Sequence, residues 1–159
     1  MNIALLTAAG SGTRMGQDIP KQFMTIDDCP VIIYTIRPFQ EHPDIDAIAV
    51  VCLDGWEKTL KAYTNQFGIT KLKYIFPGGA SNQGSIHNGL VGLKEAGCSD
   101  EDIVLIQDGV RPLVSEDIIT NNYKDSVVKR IKLATTSNMY QYSVADNIGL
   151  WATIVTGTF

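Results

Sequence analysis

The residues best placed to do chemistry open the chain. Ala8-Ala9-Gly10-Ser11-Gly12-Thr13-Arg14-Met15-Gly16 carries a cation inside a glycine-rich stretch, and Pro20-Lys21-Gln22-Phe23 adds a second one seven residues on. Glycines at 10 and 12 let the backbone turn sharply and bring N–H groups close to a ligand, and such a nest after a strand attracts phosphate. Two common phosphate loops are excluded by spacing. No Gly-x4-Gly-Lys-Ser/Thr run occurs. The dinucleotide fingerprint needs glycine where Met15 stands and an acid about 20 residues on, whereas Asp54 follows the second strand roughly twice as far along. A loop that carries Arg14 and an exposed Lys21 suits a group more highly charged than pyrophosphate, such as a triphosphate. A tight turn with two solvated charges accounts for the loop alone equally well.

These residues need a frame, and the apolar pattern supplies one. Residues 2–7 form a short apolar run that feeds the glycine loop. Residues 47–53 are apolar and β-branched without polar alternation, the mark of a strand buried on both faces of a parallel sheet. Residues 73–76 and 103–106 read as further strands. Between them lie helical patterns over 30–40, which opens on Pro30, over 56–67, with Trp56, Leu60, Tyr63 and Phe67 in step, and over 83–96. Ser115-Glu116-Asp117 reads as an N-cap with first-turn carboxylates. Alternating strands and helices predict an α/β domain with a mainly parallel sheet. The pattern fades after about residue 125, so a nucleotide-binding domain over 1–125 and a divergent or incomplete segment over 126–159 are expected.

Composition narrows the classes. The chain has 159 residues, 45% hydrophobic and 19% charged, which fits one folded domain rather than a disordered chain. Thirteen Lys and Arg against seventeen Asp and Glu leave a net charge of −4, with no footprint for nucleic acid. No apolar run approaches the ~20 residues that span a bilayer. An odd set of cysteines, Cys29, Cys52 and Cys98, without close pairs argues against disulfides and zinc and for a reduced cytoplasm. His42, in a loop, and His87, mid-helix, have no partner at ligand or triad spacing. Ser85 lacks the Gly-x-Ser-x-Gly context of a hydrolase nucleophile.

The two opening motifs, together with Gly78-Gly79, Ser85, Asn88 and Gly89, and then Asp108-Gly109-Val110-Arg111-Pro112, resemble the CTP-dependent cytidylyltransferases of small polyol phosphates. This is the family of the 2-C-methyl-D-erythritol 4-phosphate and ribitol-5-phosphate cytidylyltransferases. The resemblance covers about residues 1–122 and implies a Rossmann-like nucleotidyltransferase fold with helices on both faces of the sheet. It also implies Mg²⁺ as cofactor, CTP and a polyol phosphate as substrates, and a homodimer. Arg14 and Lys21 would act on the phosphates as catalytic residues. Ala8, Ala9, Gly10, Gly12, Gly78, Gly79 and Ser85 would hold the nucleotide, and Asp108 would ligate Mg²⁺. The metal role suits an acid at the carboxyl end of a strand, although Asp before Gly is also a frequent turn.

The sequence departs from the family at Asn82, where Arg is usual, and at Gln107, where His is usual. In the tail, Asp146-Asn147-Ile148-Gly149-Leu150-Trp151 resembles the family's arm without its expected Arg, or else Ala145-Asp146-Asn147-Ile148 resembles its late metal segment without its Lys. Lys129, Arg130 and Lys132 are the tail's basic cluster. The reaction implied is transfer of CMP to the acceptor, 2-C-methyl-D-erythritol 4-phosphate in the first instance, with release of pyrophosphate. The alternatives are ribitol 5-phosphate as acceptor, a non-catalytic nucleotide-binding remnant of the fold, or transfer from another NTP to a sugar 1-phosphate. The Pro20-Lys21-Gln22 run speaks against the last.

Overall fold

The structure, a computed structural model, describes residues 1–12, 16, 18–132 and 151–154, with side chains described as far as Lys124. Its core is a parallel sheet. Strand β1 (Asn2–Ala8) leads through a 3-10 turn (Lys21–Phe23) and a small antiparallel pair, β2 (Thr25–Ile26) and β3 (Cys29–Pro30), into helix α1 (Val31–Glu41). Then follow β4 (Ala47–Cys52), α2 (Glu57–Gln66), β5 (Leu72–Pro77), α3 (Asn82–Glu95), β6 (Ile103–Asp108), α4 (Glu116–Lys132) and β7 (Trp151–Ile154). The described strands of the main sheet run in the order β5-β4-β1-β6-β7, and every pairing is parallel.

The predicted strands and first three helices form within a residue or two of their expected ends. Two differences follow from weak patterns. Helix α4 runs through residue 125 to Lys132, where the apolar spacing that would mark it is thin. Strand β7 lies parallel against β6, although its sequence shows no distinct strand signal. The hairpin β2–β3 was not expected either. It turns at Asp27 and Asp28, both with positive φ, a conformation that aspartate tolerates better than most residues.

Alternation along buried parallel strands sends side chains to two faces. Ala4, Leu6, Ile48, Val50, Ile103 and Leu105 join Ile32, Ile36 and Phe39 of α1, Leu60 of α2 and Ile119 of α4 in one cluster. Ile3, Leu5, Ala49, Val51, Val104 and Ile106 meet Ile86, Leu90 and Leu93 of α3 in the other. Helices therefore cover both faces. Helix α3 lies unusually close to its face. A Cβ on Gly89 would stand 2.8 Å from Val51 and 2.9 Å from Leu5. A glycine inside a helix costs about 1 kcal/mol, and close packing on the sheet is what it permits here.

Connections after β1 and β4 move the chain one way across the sheet, and the connection after β5 carries it past β1 to the other side. The direction reverses between β1 and β6. Open α/β sheets bind ligands outside the carboxyl ends of the strands at this switch point. The glycine loop leaves the end of β1, and Asp108 ends β6 beside it.

Candidate active site

A cleft of about 520 Å³ opens at that switch point, a size that suits a small ligand. Its walls bring together Ala8, Ala9, Gly10, Ser11, Lys21, Gly79, Ser85 and Asp108 from the sequence motifs. Leu53 and Val110 give it apolar patches, and Gln22, Asn82 and Ser81 add polar ones. Of the expected site residues, Gly78 and Gly12 do not line the cleft but contact residues that do, Ala9 and Lys21, and Arg14 lies outside the described residues.

The glycine loop takes its shape from close contacts. Gly12 has a φ of 67°, a left-handed conformation that glycine adopts without strain. It presses on Lys21, whose backbone nitrogen would lie 3.4 Å from a Cβ at that position. Lys21 is half-buried and opens the 3-10 turn, rather than standing exposed in a loop as expected. The reason is that Gln22 and Phe23 are buried and anchor the turn. Phe23 stacks on Trp56 with centroids 4.7 Å apart, which places Trp56 as a packing residue.

The second loop follows β5. A Cβ on Gly79 would stand 2.4 Å from the Gly84 carbonyl carbon, so only glycine lets this loop fold onto the start of α3. The Gly79 N–H donates to Ser85 Oγ at 3.0 Å, and the Gly84 N–H donates to Ser81 Oγ at 3.0 Å as an N-cap. Ser85 is buried and serves the loop as an acceptor, while also lining the cleft. The positive end of α3 thus faces the cleft and favours an anion there. Gly78 is where the first and second loops touch, since a Cβ there would come 2.5 Å from Ala9 Cβ.

The third loop carries the acid. Asp108 is half-buried; its Oδ1 accepts the Val110 N–H at 3.2 Å and its Oδ2 accepts Arg111 Nε–H at 3.2 Å. It is therefore both a turn-former and a wall of the cleft. The Gly109 N–H donates to the Thr7 carbonyl at 2.9 Å, which ties this loop to β1. A carboxylate offers about four lone-pair sites, so Asp108 keeps acceptor capacity for a hard cation. Among the described residues no cluster of three His, Cys, Asp or Glu gathers. A Mg²⁺ ion here would complete its shell with phosphate oxygens and water, which is its usual habit. Asp146 lies outside the described residues, and the side chains of Lys129, Arg130 and Lys132 are not described.

Other candidates separate cleanly. His87 is exposed, and His42 is buried at the far side of α1, with Nε2 2.9 Å from Thr120 Oγ1 and Nδ1 accepting the Asp44 N–H. Cys52 is buried, and burial, then the Glu57 charge, push its thiol up to about 12, so it is an inert core residue. Sequence reasoning missed the side-chain amides of Gln22, Asn88 and Gln107, which hold the three loops. Their hydrogen bonds join positions with no periodic relation, so the motifs holding Gln22 and Asn88 and the departure at Gln107 named these residues without revealing their role.

The family model of IspD, 2-C-methyl-D-erythritol 4-phosphate cytidylyltransferase, matches residues 2–158. A ribitol-5-phosphate cytidylyltransferase of Lacticaseibacillus paracasei is 45% identical over 121 residues, 76% of this chain and 51% of that one. A 2-C-methyl-D-erythritol 4-phosphate cytidylyltransferase of Clostridium botulinum is 37% identical over 123 residues, 77% of this chain and 52% of that one. The crystal structure of the Francisella tularensis 2-C-methyl-D-erythritol 4-phosphate cytidylyltransferase superposes with a TM-score of 0.61 at 27% identity, over 79% of this chain and 52% of that one. The chain thus spans about half the length of these relatives. With the family model matching nearly end to end and the three motif loops meeting at one cleft, the chain belongs to the 2-C-methyl-D-erythritol 4-phosphate cytidylyltransferase family.

Proposed function

We propose that the cleft binds CTP and that the chain transfers CMP to a small polyol phosphate with release of pyrophosphate. The observation that carries this reading is the meeting of Lys21, Asp108 and the glycine loop in one cleft. A phosphate oxygen of the acceptor attacks the α-phosphorus in line. The new P–O bond forms as the bond to the bridging oxygen breaks, and pyrophosphate leaves with that electron pair. Such a reaction asks for positioning and charge stabilisation rather than covalent chemistry. Lys21 supplies a compact charge beside the loop, and Arg14 supplies a fork for phosphate oxygens. Asp108 would hold Mg²⁺, which neutralises phosphate charge when bound. The backbone of residues 8–12 and the start of α3 would hold the nucleotide.

The acceptor follows two lines of support. Thr7-Ala8-Ala9-Gly10 favours 2-C-methyl-D-erythritol 4-phosphate, as does the family model. Identities of 45% and 40% to proteins named for ribitol 5-phosphate, against 37% for the other name, favour ribitol 5-phosphate as a second reading. Three buried free thiols support a reduced, cytoplasmic setting, and a homodimer is part of the same reading. Among the described residues no helix is long and apolar enough to cross a membrane. The test offers each NTP with Mg²⁺ and either acceptor, and follows pyrophosphate. Release with CTP and one polyol phosphate is expected. Release with UTP and a sugar 1-phosphate overturns the reading. CTP binding without turnover supports a nucleotide-binding remnant.

A further inference from the structure

Each of the three cleft loops is tied by a side-chain amide that donates to two backbone carbonyls. Gln22 Nε2 reaches Ala8 O at 2.7 Å and Gly10 O at 3.0 Å. Asn88 Nδ2 reaches Pro77 O at 3.4 Å and Gly78 O at 3.2 Å. Gln107 Nε2 reaches Asp108 O at 3.4 Å and Arg111 O at 3.0 Å. The Gln22 tie is the tightest of the three, and its side chain is 1% exposed. Its orientation is forced, because the reversed amide would set an oxygen against two carbonyl oxygens.

We propose that Gln22 is a positioning residue, whose two amide N–H groups hold the glycine loop in the shape that receives a nucleoside triphosphate. This rests on the reading of the cleft given above. Two effects combine. The tie fixes the loop against the turn that carries Lys21, so loop and cation form one rigid unit. It also engages the Ala8 and Gly10 carbonyls, whose negative ends would otherwise be available beside a polyanion. No other uncharged side chain of this reach supplies two donors: glutamate offers only acceptors when ionised, and methionine offers neither.

The test is CTP binding with Mg²⁺, measured by calorimetry on the full 159-residue chain from pH 8 to pH 5, for the unsubstituted protein, Gln22→Glu and Gln22→Met. The ratio of dissociation constants to the unsubstituted protein at each pH cancels the titration of the nucleotide itself. Circular dichroism at each pH confirms that the variants are folded. Gln22→Glu is expected to bind at least about tenfold more weakly at pH 8. That ratio narrows towards pH 5 without closing, as the introduced carboxyl takes up a proton and regains one of the two donors. Gln22→Met is expected to bind about tenfold more weakly at every pH. A merely structural glutamine would give a ratio for Gln22→Glu that does not move with pH, and this result overturns the assignment. If Gln22→Glu does not fold at pH 8, Gln22→Met decides, and unchanged affinity there overturns it as well. An unsubstituted chain that binds no CTP overturns the reading of the cleft and this assignment together. Binding by that chain with both variants unaffected overturns this assignment alone.

Discussion

The two walls of the cleft are built alike and left in different states. On one, a glycine loop and a 3-10 turn present Lys21; on the other, the end of β6 presents Asp108. The ion pairs among the described residues join Met1 to Asp102, Lys94 to Asp100 and Arg111 to Asp108, and Lys21 belongs to none of them. Among the described residues, then, the cationic wall has no ion-pair partner to give up to an anion. The acidic wall already holds Arg111 and the Val110 N–H, so a cation arriving at Asp108 competes with a guanidinium. The difference teaches that charge alone does not describe a site: what each group must release on binding sets how much of its charge is felt.

The largest effect is expected on the cationic wall. Lys21→Ala should lower CTP-dependent pyrophosphate release by about 100- to 1,000-fold, since a preorganised charge contact is worth roughly 3–4 kcal/mol. Its melting temperature should stay near that of the unsubstituted protein, because Lys21 is half-buried and makes no ion pair among the described residues. Normal turnover would remove Lys21 from the chemistry. On the acidic wall, Asp108→Asn keeps the shape and removes the charge. The Mg²⁺ concentration at half-maximal activity should rise about tenfold or more, a loss of at least roughly 1.4 kcal/mol; an unmoved titration would place the metal elsewhere.

Arg111→Ala tests the competition directly and should act in the opposite sense. Freed of its partner, Asp108 should bring the Mg²⁺ midpoint down about threefold, with a stability change under about 1 kcal/mol, as befits a pair this exposed. A lower kcat with an unmoved midpoint would break the comparison and make Arg111 a ligand-binding group.

The smallest effect sharpens the contrast from the other end of β6. Asp102, just before this strand, is buried and accepts hydrogen bonds from the Met1 ammonium and the Ser99 N–H. Burial alone would raise its carboxyl, but these donors outweigh burial and hold it below its ordinary value. A group depressed on folding contributes stability above its unfolded value, near 4, and loses it as the pH falls through the folded one. Asp102→Asn should melt about 3 °C lower at pH 7, and the gap should shrink as the pH falls below about 4. A gap that does not change with pH would show that packing, not charge, explains the loss.

Much of this arrangement was legible in the residues. Runs such as Ala47-Ile48-Ala49-Val50-Val51 can be little other than a strand covered on both faces, and the sheet shows them fully buried. The glycine loop and Asp108 were legible because each ends such a run. Helix α4 was not legible to its end, since few apolar positions leave a weak period, and strand β7 was not, since it is only four residues long. The amide ties were least legible of all. Gln22 meets Ala8 and Gly10 from 14 and 12 residues away, and no spacing rule connects a glutamine in one turn to carbonyls in another.

The placement of β1 has a consequence for how the protein is made. Strand β1 precedes its neighbours in the chain yet is an inner strand: Ile3 pairs with Ala47 on one side and with Val104 on the other. During synthesis β1, β4 and β5 can associate as soon as they emerge, but one edge of β1 stays open until β6 has left the ribosome. The strand that closes this edge is also the one that ends in Asp108. The cleft is therefore completed by the same event that removes the open edge, and a nascent chain halted before residue 103 carries the cationic half alone.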